Sequence, residues 1–250
     1  MLKIEGLHVQ CKQKTLLTVM DLEIEAGNCV GVLGANGAGK STLLKSIGQD
    51  MRYQGKITWQ QHNLAGCQTE KLAQKLVFMP QHSLLNFAFR VQEIIEMGFF
   101  MHALTKTEQQ AVLTEVAAKF GLTALLQQNY LHLSGGEKQR VQAARIWAQI
   151  SGSAQSKLIL LDEPTSALDL KYQHIFLQQA RQLSLQRHLV LIVLHDLHLA
   201  ARYCNRVLLL HDGKPFRYGD TTDMMTADNI YALYGHHVEV YRHENGIRIR

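Results

Sequence analysis

Gly34-Ala35-Asn36-Gly37-Ala38-Gly39-Lys40-Ser41 follows the apolar run Cys29 to Leu33 and opens a stretch, Ser41 to Ile47, whose apolar residues fall at helical spacing. It fits GxxxxGK followed by Ser or Thr, set between a predicted strand and a predicted helix, the context such a loop requires. Glycines there let backbone N–H groups wrap phosphate oxygens, and the helix N-terminus adds positive potential. Lys40 reaches the β- and γ-phosphates, and Ser41 can ligate Mg²⁺. A glycine-rich turn that only starts a helix has no need of a lysine and a hydroxyl in register at its end.

Working outward, the residues from Met1 to about Gln60 alternate apolar and polar in short runs: Lys3 to Val9, Leu16 to Ile24 and Ile57 to Trp59. With turns at Ala26-Gly27 and Gln54-Gly55 these read as strands of an antiparallel N-terminal β-subdomain. From Ser83 to Ile150 the period changes. Val91, Ile94, Ile95 and Met97, then Val112, Val116 and Phe120, recur three and four apart, so the segment is predicted helical. Beyond the small polar patch Ser151 to Ser156, buried-looking strands return at Leu158 to Leu161 and Leu189 to Leu194, with helical spacing from Tyr172 to Leu185 between them. That is β-α-β, hence a mainly parallel sheet. The expected architecture is α/β: one domain over 1–250, with an ATP-binding core from 1–82 and 151–235, an inserted helical subdomain at 83–150 and a polar C-terminal tail at 236–250.

Composition excludes several classes. In 250 residues, hydrophobic residues are 46% and charged residues 19%, so the chain is neither disordered nor fibrous. A bilayer-spanning helix needs about 20 consecutive apolar residues, and the purest run is Leu189 to Leu194. The start, Met1-Leu2-Lys3-Ile4-Glu5-Gly6, reaches an acid and a glycine before any signal-like region forms, which predicts a cytosolic chain. Cys11, Cys29, Cys67 and Cys204 form no CxxC pair, and the 13 histidines show no HxxxH or HExxH spacing, so neither a disulfide framework nor a metal cluster is expected. The net charge of +5 does not choose among partners.

Two further motifs carry chemistry. Leu158-Ile159-Leu160-Leu161-Asp162-Glu163 is a buried strand ending in two carboxylates. Beside a phosphate loop, Asp162 would hold Mg²⁺ through water and Glu163 would polarise the attacking water. Leu133-Ser134-Gly135-Gly136-Glu137 carries an S-x-x-E capping box at Ser134 and Glu137, which alone would merely start a helix. Two glycines just inside that helix weaken it. A second reason for them is bare N–H groups that an anion can approach.

These three elements together resemble the ATP-binding subunits of ABC transporters, from Leu2 to about Tyr234. The LSGGE of residues 133–137 separates that family from other P-loop NTPases. On the same resemblance, Gln81 after Met79-Pro80 is similar to the Q-loop, Ser166-Ala167-Leu168-Asp169 to the D-loop, and His195 to the switch histidine. The resemblance implies that ATP is contacted by residues 34 to 42, Thr42 included, and from the partner by Ser134, Gly135, Gly136 and Glu137. It implies Mg²⁺ held by Ser41, Gln81 and Asp162, Glu163 as general base, His195 as γ-phosphate sensor, and catalytic roles for Lys40 and Gln81. It further implies a head-to-tail homodimer, two transmembrane permease subunits and a periplasmic or surface substrate-binding protein acting through them. The place would be the cytoplasmic face of the bacterial inner membrane, with no nucleic acid involved. One departure stands out: Leu7-His8-Val9-Gln10-Cys11-Lys12 lacks the aromatic that family members use to stack on adenine.

Within the family, Phe87 to Glu93 and Glu96-Met97-Gly98 are similar to importers of iron-siderophores, cobalamin and haem. The stretches Ser151 to Lys157, Ser166 to His174 and Val193 to Tyr203 are similar to haem (hemin) importer ATPases. Haem import is therefore the expected role, with siderophore or cobalamin import as the alternative. His82 to Phe89, with Leu84, Leu85, Phe87 and Phe89, would either supply part of the permease contact as an exposed apolar surface or belong to the core, and His236-His237 are read as surface residues. From other classes, a soluble non-transport ABC ATPase would show paired cassettes, coiled-coil insertions or a basic arm, none of which is present. A regulatory module without turnover would not need Lys40, Gln81, Asp162, Glu163 and His195 all intact.

Overall fold

A computed structural model describes residues 1–81, 87–100, 104–151, 155–243 and 246–250. The chain begins with β1 (Leu2–Cys11), β2 (Lys14–Ile24) and β3 (Cys29–Leu33), then α1 (Lys40–Ile47), β4 (Gln54–Trp59), β5 (His62–Asn63), α2 (Thr69–Lys75) and β6 (Leu76–Met79). Then come α3 (Val91–Glu96), α4 (Lys106–Lys119) and α5 (Gly135–Ser151). The second half runs β7 (Leu158–Leu161), α6 (Leu170–Leu185), β8 (Leu189–Val193), α7 (Leu197–Tyr203), β9 (Arg206–His211) and β10 (Lys214–Asp220). It closes with α8 (Thr221–Met224), α9 (Ala227–Tyr234), β11 (Val240–His243) and β12 (Gly246–Ile249).

The central sheet has the order β10-β9-β3-β8-β7-β6, parallel from β9 to β6, with β10 antiparallel at one edge. A second sheet, β2-β1-β4-β5, is antiparallel throughout. Side chains alternate across a strand, so a strand buried on both faces must be apolar at every position. In β7, Leu158 and Leu160 face the core under the antiparallel sheet, whereas Ile159 and Leu161 face the helices. In β3, Val30 and Val32 take the first face and Cys29 and Leu33 the second. The continuous apolar runs of the sequence are thus two half-cores written on one strand.

The helical segment joins the α/β half through aromatic packing. Phe120 and Trp147 meet edge to face with ring centroids 5.2 Å apart, and Trp147 meets Phe176 of α6 at the same distance. Two expectations change. Helical structure was expected from Ser83, but the described residues before Val91 are not helical: Arg90 bridges Asn129, and the Val91 N–H donates to the Gln128 carbonyl. Residues 236–250, expected as a polar tail, contain the β11–β12 hairpin, because Val238, Val240 and Ile247 pack on the core and Ile249 is buried. His82, Leu84 and Leu85 lie outside the described residues. Of their neighbours, Phe87 is 69% exposed while Phe89 packs on the core.

At the far end of the sheet from the phosphate loop, Lys157 is fully buried, its Nζ donating to the Gln74 carbonyl at 2.7 Å. The contact places a cation at the C-terminal end of α2, where the helix dipole favours it. Burial nevertheless pulls the Lys157 pKa from 10.5 to about 8. Its folded pKa lies below the unfolded value, so the unfolded chain binds more protons between those limits and stability rises with pH across them. In urea unfolding, wild type should gain about 1–3 kcal/mol relative to Lys157→Met between pH 7.5 and pH 10. A wild-type-to-variant difference that does not move with pH would contradict this.

Candidate functional site

All the expected catalytic groups leave the carboxyl ends of parallel strands, where open α/β sheets place their ligands. β3 runs into residues 34–42, β6 into Gln81, β7 into Asp162 and Glu163, and β8 into His195.

The phosphate loop is shaped by close approach. A Cβ on Gly34, whose φ is +153°, would lie 2.3 Å from the Leu210 carbonyl oxygen, so no side chain fits there. Gly39 precedes α1 in the left-handed conformation, and α1 has neither a side-chain cap nor an acidic residue in its first turn. The helix therefore presents an unneutralised positive end to an anion. Lys40, 5% exposed, folds back so that Nζ donates to the Gly34 and Ala35 carbonyls at 2.8 and 3.0 Å. Burial lowers its pKa, opposed by the nearby Glu163 and Asp162 charges. Incoming phosphate oxygens would replace those carbonyls as its partners.

Ser41 Oγ donates to Asp162 Oδ1 at 2.9 Å. Asp162 is 1% exposed and its Oδ2 has no hydrogen-bond partner. Burial raises its pKa, with Ser41 working against that shift. A buried carboxylate oxygen left unpaired beside a hydroxyl fits a hard divalent cation, which offsets the desolvation. Among the described residues no group of three or more His, Cys, Asp or Glu could hold a metal. Mg²⁺ typically takes one or two protein oxygens and completes its shell with phosphate and water.

Glu163 stands at the centre of the site. Its Oε1 lies 2.7 Å from His195 Nε2, and its Oε2 accepts from Gln81 Nε2 at 2.7 Å. Two side chains from neighbouring strand ends therefore meet on the carboxylate that leaves a third. Its backbone has φ +49°, a conformation that costs a non-glycine residue about 1–2 kcal/mol. Strain of this kind persists where the surroundings over-determine it. Here Asp162 N–H donates to the Met79 carbonyl, and Asp196 caps α7 directly after His195 through the His198 and Leu199 N–H groups.

Ser134 and Glu137 make the full capping box: Ser134 Oγ and N–H both donate to Glu137 Oε2, at 2.7 and 2.9 Å, and Glu137 N–H donates back to Ser134 Oγ. Those bonds hold the Glu137 pKa below the ordinary carboxylate value. The second glycine has a reason beyond bare N–H groups. A Cβ on Gly136 would lie 2.8 Å from the Ala167 carbonyl oxygen, so the start of α5 touches the 166–169 loop of its own chain. In that loop Ser166 Oγ donates to the Glu163 carbonyl at 3.1 Å, Leu168 N–H donates to the Thr165 carbonyl, and Asp169 caps α6 through Tyr172 N–H. A cavity of about 290 Å³ lies here, lined by Gln81, Gly135, Gln139, Ser166 and Ala167 among others.

His8, in the stretch that lacks an adenine-stacking aromatic, is half-buried and bonded through Nδ1 to Thr18 Oγ1 at 3.1 Å in the β1–β2 ladder. It is a strand residue. His237 stacks on Tyr231 with ring centroids 4.2 Å apart, a surface contact of α9.

Two residues of the site were missed in the sequence. Gln139, in the second turn of α5, donates to the Glu163 carbonyl and accepts from Ala167 N–H. Tyr234, at the end of α9, accepts from Gly34 N–H at 3.1 Å and so holds the first residue of the phosphate loop. Neither belongs to a local pattern that encodes its role. The nearest signal was Gly235 directly after Tyr234, which marks a left-handed helix end and fixes where that tyrosine stops.

The chain is similar to known proteins in sequence and in fold. Residues 17–166 match the family described as ABC transporter. The chain is 41% identical over 244 residues to the hemin import ATP-binding protein of Pseudomonas fluorescens strain Pf-5, covering 97% of this chain and 96% of that protein. It is 41% identical over 243 residues to the protein of the same description from Photobacterium damsela subsp. piscicida, covering 97% and 92%. Among solved structures, a chain of an inward-facing ABC transporter assigned to the metal-chelate type superposes with a TM-score of 0.77 at 29% identity, covering 100% and 95%. A dimeric ATP-binding cassette bound to ADP and Pi superposes with a TM-score of 0.77 at 26% identity, covering 88% and 99%.

Proposed function

This chain belongs to the ABC transporter family, and from that premise we propose that it is the ATP-hydrolysing subunit of a haem (hemin) importer, working as a head-to-tail pair beneath two separate membrane subunits. The observation that carries the catalytic reading is the Glu163 carboxylate held between Gln81 and His195 at 2.7 Å each.

ATP binds with its phosphates on the N–H groups of residues 34–42 and on Lys40. Ser41, Asp162 and the amide oxygen of Gln81 would hold Mg²⁺, and that ion, when bound, neutralises charge on the β- and γ-phosphates. Glu163 takes a proton from a water as it attacks the γ-phosphorus. The bond from that phosphorus to the bridging oxygen breaks, and ADP and phosphate leave. His195 orients the carboxylate and senses the γ-phosphate. Ser134, Gly135, Gly136 and Glu137 close over the nucleotide of the other copy, and residues 166–169 line the contact between copies. The helices α3, α4 and α5 then move the attached membrane subunits. Phe87 and Phe100, 69% and 78% exposed, fit that docking role. No helix among the described residues is long and apolar enough to cross a membrane. As the ATPase beneath the permease, the subunit would sit peripherally at the cytoplasmic face of the bacterial inner membrane, with a substrate-binding protein acting through the permease from the other side.

The cargo rests on the relatives, since the ATPase need not touch it. The metal-chelate description of a structural neighbour keeps siderophore and cobalamin as the competing cargoes. The chain should be co-expressed with its membrane subunits, placed in lipid, and assayed for phosphate release with a haem-loaded binding protein. Stimulation by haem-loaded protein and not by siderophore- or cobalamin-loaded controls is expected. Turnover without that selectivity would discard haem and keep the ATPase.

A further inference from the structure

The start of α5 and the loop that follows Glu163 are joined inside one chain by the side-chain amide of Gln139. Its Nε2 donates to the Glu163 carbonyl at 3.2 Å and its Oε1 accepts from Ala167 N–H at 2.9 Å, so both ends of the amide are used. The Glu163 carbonyl is a node: it also accepts from Ser166 Oγ at 3.1 Å. It belongs to the residue whose left-handed backbone aims the carboxylate at Gln81 and His195.

We propose that Gln139 is a positioning residue that couples the two ATP sites of the pair, transmitting the engagement of residues 134–137 with one nucleotide to the Glu163 that serves the other. The proposal rests on the two-copy site described above. Its physical content is mechanical. Gly136 lies so close to the Ala167 carbonyl that α5 can push on the 166–169 loop. A van der Waals contact cannot pull. The two hydrogen bonds of Gln139 can, and they grip the chain on both sides of the turn, at residues 163 and 167. When α5 is drawn toward the partner's phosphates, Gln139 carries the Glu163 peptide with it. Displacement of a catalytic group by about 1 Å can change a rate by about 10²-fold, so a small movement suffices. Each site then has its base in place only when the other nucleotide is engaged, a coupling of turnover between the sites and not of their affinities.

The test uses the chain assembled with its membrane subunits in lipid, with ATP varied. Wild type should hydrolyse ATP with a Hill coefficient approaching about 2, the number of sites. Gln139→Leu, which removes both bonds, should bring it to about 1 and lower kcat by up to about 10²-fold, the effect of a catalytic group misplaced by about 1 Å. Binding of a fluorescent ATP analogue should stay within about twofold of wild type, because both ends of the Gln139 amide are engaged within its own chain and none of the phosphate-loop bonds involves it. Gln139→Glu keeps the length and the Ala167 contact but loses the donor. It should show the same loss of cooperativity, which guards against a folding defect in the leucine variant. A merely structural Gln139 would lower Tm and leave the Hill coefficient at the wild-type value, and that result overturns the proposal. So does a fall in kcat with cooperativity intact. The two-copy reading has its own control: if ATP-loaded Glu163→Gln stays a single chain, that reading fails and the coupling falls with it. If Glu163→Gln pairs and Gln139→Leu behaves as wild type, only the coupling is wrong.

Discussion

Glu163→Gln stops ATP turnover and leaves ATP bound. The expected fall in kcat is about 10²–10⁴-fold, the usual contribution of a positioned general base. The substitution preserves shape. A glutamine at 163 can still accept from Gln81 Nε2 through its amide oxygen, and its amide nitrogen can face His195 Nε2, so both 2.7 Å contacts keep a partner. What it cannot do is take a proton from water. The phosphate loop, Lys40 and the Ser41–Asp162 pair are untouched. Phosphate release read against retention of labelled ATP separates the two effects, and turnover within about threefold of wild type would remove Glu163 from its role.

Lys40→Met should weaken ATP binding itself, by about 10²–10³-fold, the range seen when one partner of a buried, hydrogen-bonded charge pair is truncated. Lys40 is 5% exposed and its ammonium is held against the Gly34 and Ala35 carbonyls, so it is already desolvated and aimed at the loop. Part of the desolvation cost has been met before nucleotide arrives, a preorganisation that a flexible surface lysine lacks. Methionine keeps the stem and loses the charge. Equilibrium binding of labelled ATP should show the loss, and near wild-type affinity would mean that the helix N-terminus carries the phosphates without the lysine.

The fold and most of the site could be read from sequence for a physical reason: they rest on contiguous residues. The strand, glycine loop and helix of 29–47 are one local unit, and the apolar strand ending in Asp162-Glu163 is another. The β-subdomain, the parallel sheet and the helical middle followed from periodicity. What joins distant segments was not legible. Nothing around Gln139 says that its amide reaches residues 163 and 167, and nothing around Tyr234 says that its hydroxyl meets Gly34. The hairpin at 240–249 is a different case. Val238, Val240, Ile247 and Ile249 alternate with polar residues, the period of a half-buried strand. The charged residues between and around them, Glu239, Arg242, Arg248 and Arg250, make the segment read as polar. The non-helical approach to Val91 depends on Arg90 bridging Asn129 across the fold, which helical spacing does not encode.

The most direct measurement is the mass of Glu163→Gln in solution, by light scattering, with and without ATP and Mg²⁺. Two ATP molecules shared between phosphate loop and LSGGE should hold two chains together when hydrolysis is blocked. The expected result is a two-chain species that appears only with nucleotide and that Ser134→Arg, which places bulk and charge at the shared face, returns to one chain. A variant that binds ATP yet remains a single chain would contradict the composite site and the transport mechanism built on it.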